Sequence, residues 1–95
     1  YATVAGGYDN TASGTSSTVS GGYGNIASGT GSLVAGGTSN NTNKCPFAMI
    51  VGNSITADRE CTTFVNNLSI MNIPTSPSGL PTGSVWNNSG VLTIV

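Results

Sequence analysis

Apolar residues in the first half of the chain come singly, each set among Gly, Ser, Thr and Asn, and they recur at a step of 15. Val4, Val19, Val34 and Met49 share one column, and Ala5, Ser20, Ala35 and Ile50 share the next. Gly7, Gly22, Gly37 and Gly52 form a third column, flanked by Gly6, Gly21 and Gly36, with Val51 in the fourth row. Asn10, Asn25 and Asn40 form a column that reads as a turn, while Ala12, Ser13 and Gly14 return as Ala27, Ser28 and Gly29. Three rows are clear and the fourth is degenerate.

A unit of 15 residues is too short for helical repeats, which run from about 33 to 47 residues. Its Gly and β-branched residues disfavour a helix, and its Gly spacing is not that of collagen. The unit fits one coil of a β-solenoid, a β-roll or β-helix. Residues 17–22 supply a short strand and a corner, and residues 25–29 a second strand and corner. Coils hydrogen-bond to one another at about 4.8 Å, so that the Val column stacks as an interior ladder and Ala12 and Ala27 as a thinner one. Gly accepts positive φ at the corners without steric cost, and Asn accepts it better than most residues. A flexible linker has no need of such registration.

The pattern changes after the fourth row. Phe64-Val65 and residues 68–73 are strand candidates, and Pro74, Pro77 and Pro81 mark an extended loop. Residues 82–86 and 91–95 then read as the arms of a hairpin around a four-residue turn from Asn87 to Gly90. Trp86, the single Trp, is the expected anchor of this part. The expected organisation is all-β. Residues 1–58 hold the solenoid, with coils about 1–14, 15–29 and 30–44 and a degenerate cap at 45–58. Residues 59–95 form a small β-rich trimerisation or tip region.

Composition sharpens this picture. Charged residues make up 5% of the chain: Lys44, Arg59, Asp9, Asp58 and Glu60. An ordinary soluble domain carries about 25%, and a monomer this poor in charge is poorly soluble. Burying one Val is worth roughly 1.5 kcal/mol or a little more, against about 1–2 kcal/mol to order each residue's backbone. A lone stack of thin coils therefore falls short, and the missing burial is expected from other chains in a homotrimer. Two cations cannot supply a nucleic-acid surface, and no apolar run reaches the ~20 residues of a membrane helix. With no initiator Met and an opening inside a repeat, the chain is expected to be a piece of a longer protein.

The stretches "TVAGGYDNTASG" and "TVSGGYGNIASG" resemble the head repeats of trimeric autotransporter adhesins, and resemble even more closely the Gly-Gly-x-x-Asn-x-Ala-Ser-Gly repeats of phage and viral fibre proteins. The resemblance covers roughly residues 1–56 and implies a trimeric β-roll serving as stalk or head of a surface fibre. Residues 72–95, "NIPTSPSGLPTGSVWNNSGVLTIV", look like a segment of phage tail-fibre and other virion proteins. Together the resemblances imply a structural arm of a phage or viral tail or capsid fibre on the virion surface. Its expected partners are its own copies, other virion fibre or tail proteins, and a host surface glycan or protein receptor. The alternative is a bacterial trimeric surface adhesin head at the cell surface. A more distant one is an ice-binding solenoid, for which Thr3 and Thr18 start a Thr ladder that Leu33 ends.

No catalytic, cofactor-binding or metal-binding residue is expected, and the chain is read as not an enzyme. The Gly-rich runs lack the Lys-Ser/Thr of a phosphate loop. Asp9 is the single acid in the repeats and Gly24 replaces it one coil later, whereas calcium takes six to eight oxygens. Cys45 and Cys61 are too few for a zinc site without His, and free thiols are the favoured reading. Asp58 and Glu60, a spacing that shares a face in a strand, are read as supplying a solvated or interchain ion pair between Arg59 and one acid rather than a glycosidase pair. Asn40, Asn67 and Asn87 open Asn-x-Ser/Thr triplets, which chance explains in so Asn-rich a chain. Tyr8 and Tyr23 share a column that Thr38 breaks; with Tyr1 they are candidate sugar platforms, set against a plain covering of the outer face.

Overall fold

The computed structural model describes residues 1–95 and contains nine short strands and no helix. The strands are β1 (Thr3–Val4), β2 (Thr11–Ala12), β3 (Thr18–Val19), β4 (Ile26–Ala27), β5 (Leu33–Val34), β6 (Met49–Val51), β7 (Thr63–Val65), β8 (Val85–Asn88) and β9 (Val91–Ile94). Five of them form one parallel sheet in the order β1-β3-β5-β6-β7. β2 and β4 form a second parallel pair. The 15-residue step sets the register: Val4 lies opposite Val19 and Val19 opposite Val34, while Ala12 lies opposite Ala27. Hydrogen bonds run from row to row, as from the Thr3 N–H to the Ser17 carbonyl (2.9 Å) and from the Ala5 N–H to the Val19 carbonyl (3.0 Å).

Between the two sheets lies a narrow core. Val19, Val34, Ile50 and Ala27 are its centre, with Ala12, Ile55 and Phe64 packed against it. Beside it, Ala48 and Ala57 are buried, and so are the polar residues Ser17, Asn25, Ser32, Asn40 and Thr42. Every buried side-chain polar atom has a partner, as a low-dielectric interior requires. Ser17 and Ser32 each donate to the carbonyl three residues back, Gly14 and Gly29, at 2.7 Å. Thr42 Oγ1 accepts from the N–H groups of Ser28 (2.9 Å) and Gly29 (3.2 Å).

The fourth row departs from the expected columns. Leu33 lies opposite Met49 and Val34 opposite Ile50, so Ile50, not Met49, continues the Val ladder. One extra residue at the corner around Asn43 and Lys44 causes the slip; both take positive φ, 52° and 60°. The step returns to 15 where Asn41 bridges Thr56. The parallel sheet also runs past residue 58, because β7 pairs with β6, Phe64 opposite Ile50.

In the C-terminal stretch, residues 68–73 form no strand, and the first hairpin arm begins at Val85 rather than Thr82. The arms pair antiparallel through Asn88 and Val91. The turn is therefore two residues, Ser89 (φ 52°) and Gly90 (φ 92°), the doubly positive geometry that matches the twist of paired strands. Asn87 and Asn88, turn formers by composition, instead pair across the strands with Leu92 and Val91. Trp86 is only half-buried, and no residue beyond Ala57 is buried.

Candidate functional site

The most ordered polar feature of the molecule is a column of side-chain amides. Asn10, Asn25 and Asn40 stand one above another inside the corner made by the Gly pairs. Asn25 Nδ2 donates to the Gly21 carbonyl in its own row (3.1 Å) and to the Gly37 carbonyl in the next (2.9 Å). Asn25 Oδ1 accepts the Asn40 N–H (3.0 Å). Asn40 repeats the pattern with Gly36 (2.9 Å), Gly52 (2.8 Å) and the Ile55 N–H (3.0 Å). Asn10 does the same one row earlier, with Gly6 (3.0 Å) and Gly22 (2.9 Å) and the Asn25 N–H (3.0 Å).

The Gly column and the Asn column are thus one device. Gly22 has φ 94°, and a Cβ there would run into the Gly37 carbonyl oxygen and lie 2.7 Å from Asn25 Nδ2. Besides the Gly column, positive φ at the corner falls not on Asn but on the position before it, Asp9, Gly24 and Ser39, and on Ser54 before Ile55, with φ between 56° and 64°. The expected turn column is therefore a buried amide ladder. Spacing alone gave no sign of this, because a turn Asn and a ladder Asn recur at the same step.

Tyr8 and Tyr23 stack with ring centroids 5.3 Å apart and planes 6° from parallel, and the backbone bridges Tyr8, Tyr23 and Thr38 in parallel. Both are exposed. One face of Tyr23 lies under the Tyr8 ring, so the pair is held mainly by its own stacking, worth about 0.5–1.5 kcal/mol beyond burial. Tyr1 is fully exposed. Thr3 lies opposite Thr18 and Thr18 opposite Leu33, so the Thr ladder stops after two rows.

Asp58 and Arg59 form an exposed ion pair, Nε to Oδ1 at 3.0 Å. The hydrogen bond from Arg59, and its charge, hold the Asp58 carboxyl below its usual value, and Asp58 raises Arg59 in turn. Glu60 is exposed beside them, and no concave surface adjoins the three. Asp9 is an exposed corner residue with φ 57°. Cys45 and Cys61 are free thiols; Cys45 Sγ lies 3.6 Å from the Asn43 carbonyl. Of the three Asn-x-Ser/Thr triplets, Asn40 is buried in the ladder and Asn87 sits in β8, while Asn67 is exposed.

An open hollow of about 190 Å³ lies beside the hairpin, lined by Ile73, Asn87, Gly90 and Leu92. That is smaller than the ~300–1,000 Å³ of a small-molecule site. No helix of the chain is long and apolar enough to cross a membrane.

No curated protein and no solved structure matches the chain. Residues 2–14 and 17–29 each match the family model described as the ubiquitous surface protein adhesin repeat. These are the two rows that carry the paired Gly corners, the Tyr stack and the first two amides of the ladder, so the chain contains adhesin-type repeats.

Proposed function

We propose that this chain is a structural segment of a homotrimeric, adhesin-type surface fibre, with its rows wound as a β-solenoid. The observation that carries the reading is the coincidence of two things: the adhesin-repeat match over residues 2–14 and 17–29, and parallel in-register pairing of those same rows. Each row is a rigid layer about 4.8 Å thick, so repetition makes a stiff arm that carries a binding surface away from its base. The role is mechanical and presentational. It involves no catalysis, since three acids and no His leave little to build a proton-transfer site from.

The match to a surface-protein adhesin repeat favours an extracellular surface, and the first reading is an adhesin head on a bacterial cell. A second reading, an arm of a phage or viral particle, rests on the resemblance of residues 72–95 to virion fibre proteins. Sedimentation equilibrium of the purified chain tests the shared core of both. A trimer is expected, and a monomer at all concentrations would overturn the fibre reading. Binding of the labelled trimer to bacterial envelope saccharides, against binding to animal-cell surface proteins, separates the virion arm from the bacterial adhesin.

A further inference from the structure

Residues 67–95 are set apart from the stacked rows. Their hydrogen bonds all close within that stretch. β8 and β9 touch each other and no other strand. None of these residues is buried. A two-stranded hairpin alone is at best marginally stable in water, so its order requires a surface that the single chain does not supply.

The register shows where that surface lies. Val85 is opposite Ile94 and Asn87 opposite Leu92, and residues two apart in a strand share a face. Val85, Asn87, Leu92 and Ile94 therefore make one face, with Trp86, Asn88, Val91 and Thr93 on the other. Leu92 is 59% and Ile94 71% exposed. The hollow beside Leu92 and Ile73 gives this face a recess next to its projecting Ile94, so it offers both a knob and a hole.

We propose that this face is an assembly surface whose occupant is the same hairpin of other copies of the chain. The proposal rests on the homotrimeric reading and names the surface that makes the trimer. One observation selects a second copy over another partner. Residues 61–95 contain no Lys, Arg, Asp or Glu, so nothing here recognises a nucleic acid, an anionic membrane or a charged protein, whereas an uncharged knob-and-hole face complements itself.

The test is sedimentation equilibrium on the full chain carrying Leu92→Lys and Ile94→Lys together, against Asn88→Lys on the opposite face. The double variant is expected to weaken association by about 100-fold or more, because unpaired charges would be buried. Asn88→Lys should leave it within about threefold, as rim charges do. Far-UV circular dichroism checks that the stacked rows persist in both. A double variant that associates like the wild type overturns this proposal and leaves the trimeric reading standing. A monomeric wild type overturns both and gives the face to a different partner. Should the double variant unfold, Ile94→Cys in a Cys45→Ser, Cys61→Ser background keeps the question open to answer: oxidation is expected to yield covalent dimers, with none from Asn88→Cys. Absence of the Ile94→Cys cross-link refutes the proposal.

Discussion

Replacing Asn25 by Ala removes the centre of the amide ladder, and the structure gives the size of the loss. Three backbone groups lose a partner: the Gly21 carbonyl, the Gly37 carbonyl and the Asn40 N–H. Gly37 keeps its bond from the Tyr23 N–H at 3.0 Å, so two groups are left bare. A buried polar group without a partner costs about 1–3 kcal/mol, which puts Asn25→Ala at roughly 2–6 kcal/mol. Asn10→Ala strips the exposed Gly6 carbonyl of the first row and the Asn25 N–H of the buried second row. Gly6 is open to solvent, so water replaces its partner at a cost of about 0–2 kcal/mol, while the buried Asn25 N–H is left bare at about 1–3 kcal/mol. Asn25→Ala should therefore exceed Asn10→Ala by about 1 kcal/mol, the difference between baring the half-buried Gly21 carbonyl and the exposed Gly6 carbonyl. Urea titration followed by far-UV circular dichroism reads both, with all chains at one concentration because oligomer stability varies with it. An Asn25→Ala chain within ~0.5 kcal/mol of the wild type, or equal losses at the two positions, would refute the idea that the ladder holds the corner.

Other perturbations have equally definite outcomes. Gly22→Val places a β-branched residue at φ 94° against the Gly37 carbonyl; strain and overlap of about 1–3 kcal/mol each should lower the urea midpoint sharply. Asp9→Gly relieves a positive φ of 57° and should change stability by no more than about 1 kcal/mol in the same titration. Stability should be nearly flat from pH 5 to 8 in thermal melts, since no His is present. The one shifted carboxyl, Asp58, is lowered in the folded chain. Its contribution is present above the unfolded value of 3.8 and fades as pH falls through the lower folded one; full exposure makes it small, so Asp58→Asn should leave the melting temperature unchanged. An aromatic disulfide reagent should titrate both thiols, Cys61 at once and the half-buried Cys45 more slowly.

The parts of this fold that could be read from the sequence are those where a side chain must repeat to be stacked. Val19 over Val34 and Ala12 over Ala27 are legible because an apolar side chain recurs at the step at which it must stack. The hairpin is legible because the polar stretch Asn87 to Gly90 separates Val85-Trp86 from the run Val91–Val95, although its turn is the two residues Ser89 and Gly90 rather than four. The buried role of Asn25 and Asn40 was hidden, since an amide inside a corner and an amide forming one have the same spacing. The slip at Met49 was hidden for a different reason. The extra residue near Lys44 is offset before Gly52, so the Gly column keeps its step of 15 while the strand between has moved by one. Tyr8 and Tyr23 could be placed in one column, but that their rings stack on each other follows from side-chain geometry that a column does not contain.

That offset says something about what the rows conserve physically. A one-residue shift in a strand turns its inward set outward, and here the shift is arranged so that Ile50 still faces Val34. The apolar ladder tolerates the exchange of Val for Ile because dispersion contacts are non-directional and a methylene more can be packed. The amide ladder has no such latitude: Asn40 Nδ2 must reach the Gly52 carbonyl at 2.8 Å, and Asn40 Oδ1 must meet the Ile55 N–H at 3.0 Å. Hydrogen bonds weaken steeply with angle and distance, so the chain absorbs its irregularity in the Asn43-Lys44 corner and restores the step before the next amide contact. The apolar column supplies burial, and the amide column fixes the register in which that burial is possible. A row that lost its Asn but kept its Val would still collapse, yet it would have less to say which of two neighbouring registers it should take.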